Sequence, residues 1–210
     1  MRYRIWSYVL ILHLGLIYVV GGCTHNSRHR QDVMSYNPVT REWTHLAPML
    51  TPRSQMGITI LDGYIYVVGG TNKNQEVLTS VERYSFEKVI YSFLCIIMLF
   101  RSFVRYNLVL FQNKWSTVAS MNMGRSYPAV AAADSRLYVI GGDQSQEINF
   151  YRTQITISTV ECYDPHSNKW HECASLPTSR GEAAAIVAPF WLKFSFDHIT
   201  LITCVSFWIS

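Results

Sequence analysis

The sequence is 210 residues long, with 49% hydrophobic and 14% aromatic residues, which excludes a disordered or fibrous chain and suffices for a hydrophobic core. The formal net charge is +4, but residues 1–30 carry +4 and residues 88–111 carry +3, whereas residues 31–87 sum to −2 and residues 112–187 to −1. Because these two acidic stretches show no basic stripe, nucleic-acid binding is not expected.

The N-terminus resembles a secretory signal, since Arg2 and Arg4 precede an apolar run over residues 5–20 and then small residues. However, the sequence motif of residues 17–22 recurs at 64–70 and 137–142, so cleavage at this point would remove part of a repeat. We therefore interpret residues 17–22 as a strand. Residues 1–15 are an uncertain N-terminal segment, which either supplies the first strand of a unit or reflects an incorrect gene start.

Each copy of this repeated word ends in two glycines, which predicts a buried strand followed by a sharp turn. The pairs are Gly21 and Gly22, Gly69 and Gly70, and Gly141 and Gly142. Each pair is followed by a tyrosine and a tryptophan that we expect to pack between repeat units. These residues are Tyr36 and Trp43, Tyr84 and Trp115, and Tyr163 and Trp170.

The second unit is longer than the first. Successive glycine pairs are 48 and then 72 residues apart, a difference of 24. The tyrosine and tryptophan are 7 residues apart in the first and third units but 31 apart in the second, which gives the same excess of 24. The extra residues therefore lie between Tyr84 and Trp115.

Four strands are predicted within the second unit. Gly57–Leu61 suits an inner strand, and the Asp62-Gly63 turn joins it to Tyr64–Val68. Residues 80–85 and Lys114–Val118 supply the other two strands. Pro38 and Pro165 mark the equivalent turns between the third and fourth strands of the other units.

The 24-residue excess, residues 88–111 in one alignment, has two interpretations. A transmembrane helix has the right length, but Arg101 and Arg105 would each cost about 3 kcal/mol near a membrane centre. One spanning segment would also separate two paired strands, so membrane contact is not predicted. We favour a translated non-coding insert such as a retained intron. The apolar tail, residues 188–210, is interpreted in the same way, because the expected strand pair and diglycine are missing there.

Catalytic chemistry is not predicted. No histidine or carboxylate spacing recurs with a nucleophile, and the glycine pairs close strands without the helix that a phosphate-binding loop needs. An enzyme and a cofactor are therefore not expected. Cys162, His166, His171 and Cys173 suit zinc by type, but the equivalent positions 35, 39, 44 and 46 of the first unit contain no ligand, so no metal site is predicted. The five cysteines show no paired spacing, which favours a reduced, cytoplasmic location.

The compound pattern of diglycine, tyrosine, turn, tryptophan and a later arginine resembles the kelch domain of the kelch-like family, the BTB-BACK-kelch proteins. The resemblance implies an all-β fold: a partial kelch β-propeller of about three four-stranded blades, cut from a ring of six. The predicted divisions are an uncertain segment 1–15, repeat 1 at 16–56, repeat 2 at 57–127 with its insert 88–111, repeat 3 and the start of the next at 128–187, and the tail 188–210.

The resemblance also implies a function. Kelch domains of this family select substrate proteins for cullin-RING ubiquitin ligases, while BTB and BACK regions, absent from these residues, bind the cullin. The alternative is an actin-binding kelch protein of the cytoskeleton. Function is expected on loops held by a rigid scaffold, and similar arginines in the family contact acidic peptides. The predicted partner-binding residues, which could instead anchor the loops, are Arg53, Ser54, Arg125, Ser126 and Arg180.

Overall fold

The computed structural model describes residues 5–6, 8–24, 26, 28–85, 88–97, 102–111, 113–148 and 151–185. The described elements are all β-strands. In chain order they are β1 (Ile5–Trp6), β2 (Val9–His13), β3 (Leu16–Val20), β4 (Cys23–Thr24), β5 (Val33–Asn37), β6 (Glu42–Leu46), β7 (Gly57–Leu61), β8 (Tyr64–Val68), β9 (Val81–Ser85), β10 (Lys88–Ile97), β11 (Ser102–Phe111), β12 (Lys114–Val118), β13 (Ala129–Ala133), β14 (Arg136–Ile140), β15 (Asp143–Ile148), β16 (Tyr151–Thr156), β17 (Val160–Asp164) and β18 (Lys169–Cys173).

Three four-stranded antiparallel sheets form the body of the domain. Their strand orders are β2-β3-β5-β6, β7-β8-β9-β12 and β13-β14-β17-β18, and we call them the first, second and third sheets. The predicted all-β class and the four strands per unit are confirmed, and β7, β8 and β12 have the bounds expected from the sequence. In the described parts of the chain, no helix is long and apolar enough to cross a membrane.

Tight turns join the first two strands of every sheet. The Asp62-Gly63 turn has φ of 50° and 77°, and the Leu14-Gly15 turn has φ of 48° and 77°. Two consecutive positive φ angles define the turn whose twist matches an antiparallel hairpin. The third sheet makes the same turn with Asp134 and Ser135, at 47° and 56°. Glycine is therefore favoured at this turn but not required.

The first strands of the three sheets converge on a common axis. β7 lies against both β2 and β13, and a Cβ atom added at Gly57 would overlap the side chain of Val130 on β13. The connections after the glycine pairs and the linkers between sheets then share one side of the domain, which we call the loop face. It consists of residues 21–32, 69–80, 141–159, 47–56, 119–128 and 174–185. The turns at 14–15, 62–63 and 134–135 lie on the opposite side, the turn face.

Alternate side chains of β8, the second strand of the second sheet, pack on opposite neighbours. In β8, Ile65 and Val67 lie in the cluster shared with the first sheet, and Tyr66 and Val68 lie in the cluster shared with the third. All four are at most 1% exposed. A fully buried side chain of this size contributes about 1.5–3 kcal/mol, so burial on both faces of β8 stabilises both interfaces.

Two of the repeated tryptophans bridge neighbouring sheets. Trp115 is 2% exposed, and its Nε1 donates to the Ala47 carbonyl oxygen at 2.8 Å. Trp170 is 9% exposed, and its Nε1 donates to Ala119 at 2.7 Å. Trp43 on the first sheet is 54% exposed, because no described sheet lies on that side of it.

We expect Trp115→Phe to lower the free energy of unfolding by about 1–2 kcal/mol, since it removes the hydrogen bond to Ala47 and part of a packed side chain. The matched change Trp43→Phe should cost less than about 0.5 kcal/mol. Urea unfolding of both variants measures the difference. Equal losses would mean that the interface between the sheets does not depend on this side chain.

Residues 88–97 and 102–111 of the second unit form a two-stranded ribbon, β10–β11, rather than a helix. Its pairs run from Lys88 with Phe111 to Ile97 with Ser102. Ser85 pairs with Lys114 in the β9–β12 hairpin below it. Lys88 and Phe111 are each three residues beyond this pair, so the two sets of pairs have the same offset in the sequence. A second ribbon, β15–β16, extends from the loop face of the third sheet.

Candidate functional site

Arg53 joins the first linker to the second sheet from a fully buried position. Its Nη1 donates to the carbonyl oxygens of Gly69 at 3.0 Å and Ser80 at 2.9 Å. Its Nη2 donates to Ser80 Oγ at 3.0 Å and to the Glu82 carboxylate at 2.6 Å. Arg53 and Glu82 are both 0% exposed. Burial lowers the pKa of Arg53, and the adjacent Glu82 carboxylate opposes this change.

Arg125 repeats this arrangement between the second and third sheets. Its Nη1 donates to Gly141 and Thr159 at 3.0 and 2.9 Å, and its Nη2 donates to Glu161 at 2.6 Å. Burial also lowers the pKa of Arg125, with Glu161 acting against it. We call each of these arginine–glutamate pairs, Arg53–Glu82 and Arg125–Glu161, a clamp.

The glutamates of the clamps also bind the preceding linkers. Glu82 accepts the backbone N–H groups of Leu50 at 2.7 Å and Thr51 at 3.0 Å. Glu161 accepts those of Asn122 at 2.7 Å and Met123 at 3.3 Å. Each carboxylate therefore holds an arginine and a linker backbone together, so the clamp fixes the path of the loop face.

These contacts bear on the two roles predicted for these residues, binding a partner or anchoring the loops. Arg53 and Arg125 are both 0% exposed and bonded within the domain, which fits the anchoring role. Ser54 and Ser126 are at most 1% exposed, and their backbones bridge to Thr71 and Asp143 across the linkers. The two arginines therefore anchor the loops. Without them, Glu82 and Glu161 would each be a buried charge with no partner, which is strongly destabilising.

Arg180 shares the backbone position of the other two arginines but not their burial. Its carbonyl oxygen accepts the Gly142 N–H at 2.7 Å, as that of Arg125 accepts the Gly70 N–H at 2.9 Å. Its side chain is exposed. Among the five residues predicted to bind a partner, Arg180 is thus the one that the structure places at the surface.

The glycine pairs lie between two linkers. Gly70, with φ of 91°, would bring an added Cβ into overlap with the Ser54 carbonyl oxygen. Gly69, with φ of 62°, would bring one into overlap with the Arg125 carbonyl oxygen. Each glycine thus permits the close approach of one linker, which explains why two are needed in succession.

Three residues at the mouth of the axis were not predicted from the sequence. Gln55, Tyr127 and Glu182 occupy equivalent positions, two residues after the arginines, and have φ of 58°, 51° and 52°. Non-glycine residues in this region carry strain and are concentrated at functional sites. The Tyr127 N–H donates to the Gln55 carbonyl oxygen at 2.7 Å, which links them around the axis. Their common position, two residues after each repeated arginine, is the feature of the sequence from which they could have been found.

A concavity of about 360 Å³ lies beside these residues. Its lining consists of Met56, Tyr127, Pro128, Glu182 and Ala183. Glu182 is exposed and Tyr127 is half-buried, so the concavity presents a carboxylate and a phenol ring next to apolar groups. Such a mixture suits the side chains of a partner protein.

The third sheet contains the four residues considered above as zinc ligands, Cys162, His166, His171 and Cys173. Burial and the neighbouring Cys162 raise the pKa of the Cys173 thiol to about 11, so this thiol is protonated at neutral pH. Within the described residues, no group of three or more histidine, cysteine, aspartate or glutamate side chains is arranged to hold a metal ion.

Comparison with known proteins agrees with this architecture. The three four-stranded sheets are those of a repeat protein built from propeller blades. The solved structure of YjhT has the same fold, with a TM-score of 0.65 at 13% sequence identity, and the match covers 85% of this chain and 58% of that one. Residues 11–50, 52–88 and 124–177 match the family model of the Kelch motif. The chain therefore belongs to the kelch-repeat family.

Curated relatives extend the similarity over most of the chain. Kelch-like protein 25 of Xenopus tropicalis is 30% identical over 172 residues, which are 81% of this chain and 25% of that protein. Kelch-like protein 41a of Danio rerio is 32% identical over 139 residues, which are 66% of this chain and 19% of that protein. The chain thus spans a quarter or less of the length of these relatives.

Proposed function

We propose that this chain binds substrate proteins as the recognition domain of a cullin-RING ubiquitin ligase adaptor in the cytoplasm, and that it is not itself an enzyme. The observation that carries the proposal is the set of three equivalent residues, Gln55, Tyr127 and Glu182, which share the same positive-φ conformation at the mouth of the axis. The two clamps lie two residues before Gln55 and Tyr127 and fix the linkers that carry them, while the side chains at the three positions differ. A fixed backbone with variable side chains is suited to protein recognition.

The connections of the loop face support the same function. They differ in length and sequence between the three sheets, and the third carries the β15–β16 ribbon. Exposed Arg180 is two residues before Glu182, which lines the concavity. The link to ubiquitination rests on the kelch-like resemblance, in which cullin binding belongs to BTB and BACK regions.

The test is competition in cells. Expressed by itself, the chain should bind the substrate without delivering it to the ligase, so ubiquitination of co-purifying proteins should fall. The double variant Tyr127→Ala, Glu182→Ala should lose most of this effect, about 10-fold or more in affinity, because it removes an aromatic anchor and a carboxylate. The control variant Arg41→Ala, Lys169→Ala changes two exposed residues of the turn face and should compete as well as the parent chain.

Two outcomes would count against the proposal. Partners retained equally by both double variants would exclude the mouth of the axis as the binding site. Co-sedimentation with actin filaments, with no change in ubiquitination, would favour the cytoskeletal alternative.

A further inference from the structure

The β10–β11 ribbon is the feature of the domain that the recognition function does not use. It consists of two ten-residue strands. Among the described strands, β10 and β11 pair only with each other. A two-stranded ribbon is marginally stable by itself in water. Its outer edges also leave backbone N–H and C=O groups without a strand partner. The ribbon therefore needs a surface to lie on.

The composition of residues 88–111 indicates the chemistry of that surface. Of the 24 residues, 18 are apolar and six of these are aromatic. Lys88, Arg101 and Arg105 are the charged residues, and the segment contains no aspartate or glutamate. Aromatic residues favour the boundary between water and lipid, and lysine and arginine are attracted to anionic headgroups.

The hairpin geometry removes the objection that applies to a spanning helix. Because Lys88 pairs with Phe111, the chain leaves the second sheet and returns to it at the same place. Contact with one side of a bilayer therefore keeps β9 and β12 together. Strands of ten residues reach about 33 Å, but their open edges exclude a single hairpin from the hydrocarbon core. The headgroup region, where water and lipid oxygens can bond to these edges, is the compatible depth.

We propose that the β10–β11 ribbon docks the domain on an anionic lipid surface and lies within its headgroup region. A second copy of the chain is a less favourable occupant, since the sequence of residues 88–111 carries a formal charge of +3 in each copy and the two would repel. The ribbon extends from the turn face, opposite the loop face. A docked domain would therefore present the mouth of its axis away from the membrane, free for a partner protein.

The experiment is flotation of the purified 210-residue chain with vesicles. Phosphatidylcholine vesicles containing roughly one-third phosphatidylserine should carry the chain upward, and phosphatidylcholine alone should not. The triple variant Lys88→Gln, Arg101→Gln, Arg105→Gln should bind on the order of 100-fold more weakly, at about fivefold for each charge. The matched control Arg28→Gln, Lys73→Gln, Arg180→Gln removes three exposed cations of the loop face, on the side away from the membrane, and should retain most of the affinity.

Deletion of residues 88–111 provides the second variant. It leaves Ser85 and Lys114 joined by four residues, the length of the turn at 165–168 in the third sheet, so the second sheet should still form. Its circular dichroism should resemble that of the parent chain, and flotation should be lost. Flotation that survives the deletion, or equal weakening by the two triple variants, would overturn the proposal. So would ribbon-dependent oligomers that do not float, because they would identify a second copy as the occupant.

Discussion

Arg125→Ala should lower the free energy of unfolding by about 3–5 kcal/mol, because it leaves the Glu161 carboxylate buried without its cation. Both side chains are at most 1% exposed, so water cannot reach and solvate the Glu161 carboxylate unless the interface opens. The change also frees the carbonyl oxygens of Gly141 and Thr159 from their guanidinium donor. Chemical denaturation followed by circular dichroism measures the loss.

Arg136→Ala is the control for this experiment, since Arg136 is an exposed arginine on the third sheet. It should change stability by less than about 0.5 kcal/mol. Arg125→Lys should be intermediate, because it retains the charge but not the two-nitrogen fork. A loss below about 1 kcal/mol for Arg125→Ala would show that the clamp does not hold the second and third sheets together.

Gly70→Ala should cost about 3–4 kcal/mol through two effects. A positive φ costs an alanine about 1–2 kcal/mol, and the new Cβ would overlap the Ser54 carbonyl oxygen and lie 3.0 Å from Met56 Cβ. The first linker would have to move away from the second sheet. Thermal unfolding of the variant measures the combined loss.

Gly63→Ala separates the two effects. Gly63 has φ of 77°, but an added Cβ there would meet no atom within 4 Å. It should therefore show the conformational cost alone, about 1–2 kcal/mol. If both alanine variants lost the same stability, the close approach of the linker would not be the reason for the second glycine.

The repeating fold was accessible from the sequence because its signals are local. Apolar runs ending in glycine pairs gave β3, β8 and β14, and the Asp62-Gly63 pair gave the hairpin between β7 and β8. The secondary structure of the extra residues could not be predicted, since their apolar run suits a buried helix or a strand equally well. Lys88 pairs with Phe111 across 23 residues of chain (111 minus 88), so neither segment alone reveals the pairing.

The burial of the arginines was missed for a related reason. Arg53 and Glu82 are 29 residues apart, whereas Arg125 and Glu161 are 36 apart, because the loop between the strands differs in length. The repeated words Val81-Glu82-Arg83-Tyr84 and Val160-Glu161-Cys162-Tyr163 contain the missing signal. A glutamate that follows the buried valine at the same position of two repeats needs a cation partner if it is buried as well. The arginines alone do not reveal that each is paired with a buried glutamate.

The register of the β10–β11 ribbon has a consequence for protein engineering. Lys88 and Phe111 are each three residues beyond the Ser85–Lys114 pair, and all five residues of β9 keep a partner on β12 although twenty-four residues are inserted between the strands. Length at this point of the blade is thus decoupled from the geometry of the clamps and the axis. Here the scaffold provides a graft site, where a foreign hairpin could be exchanged for the ribbon while the opposite end of the blade keeps its shape.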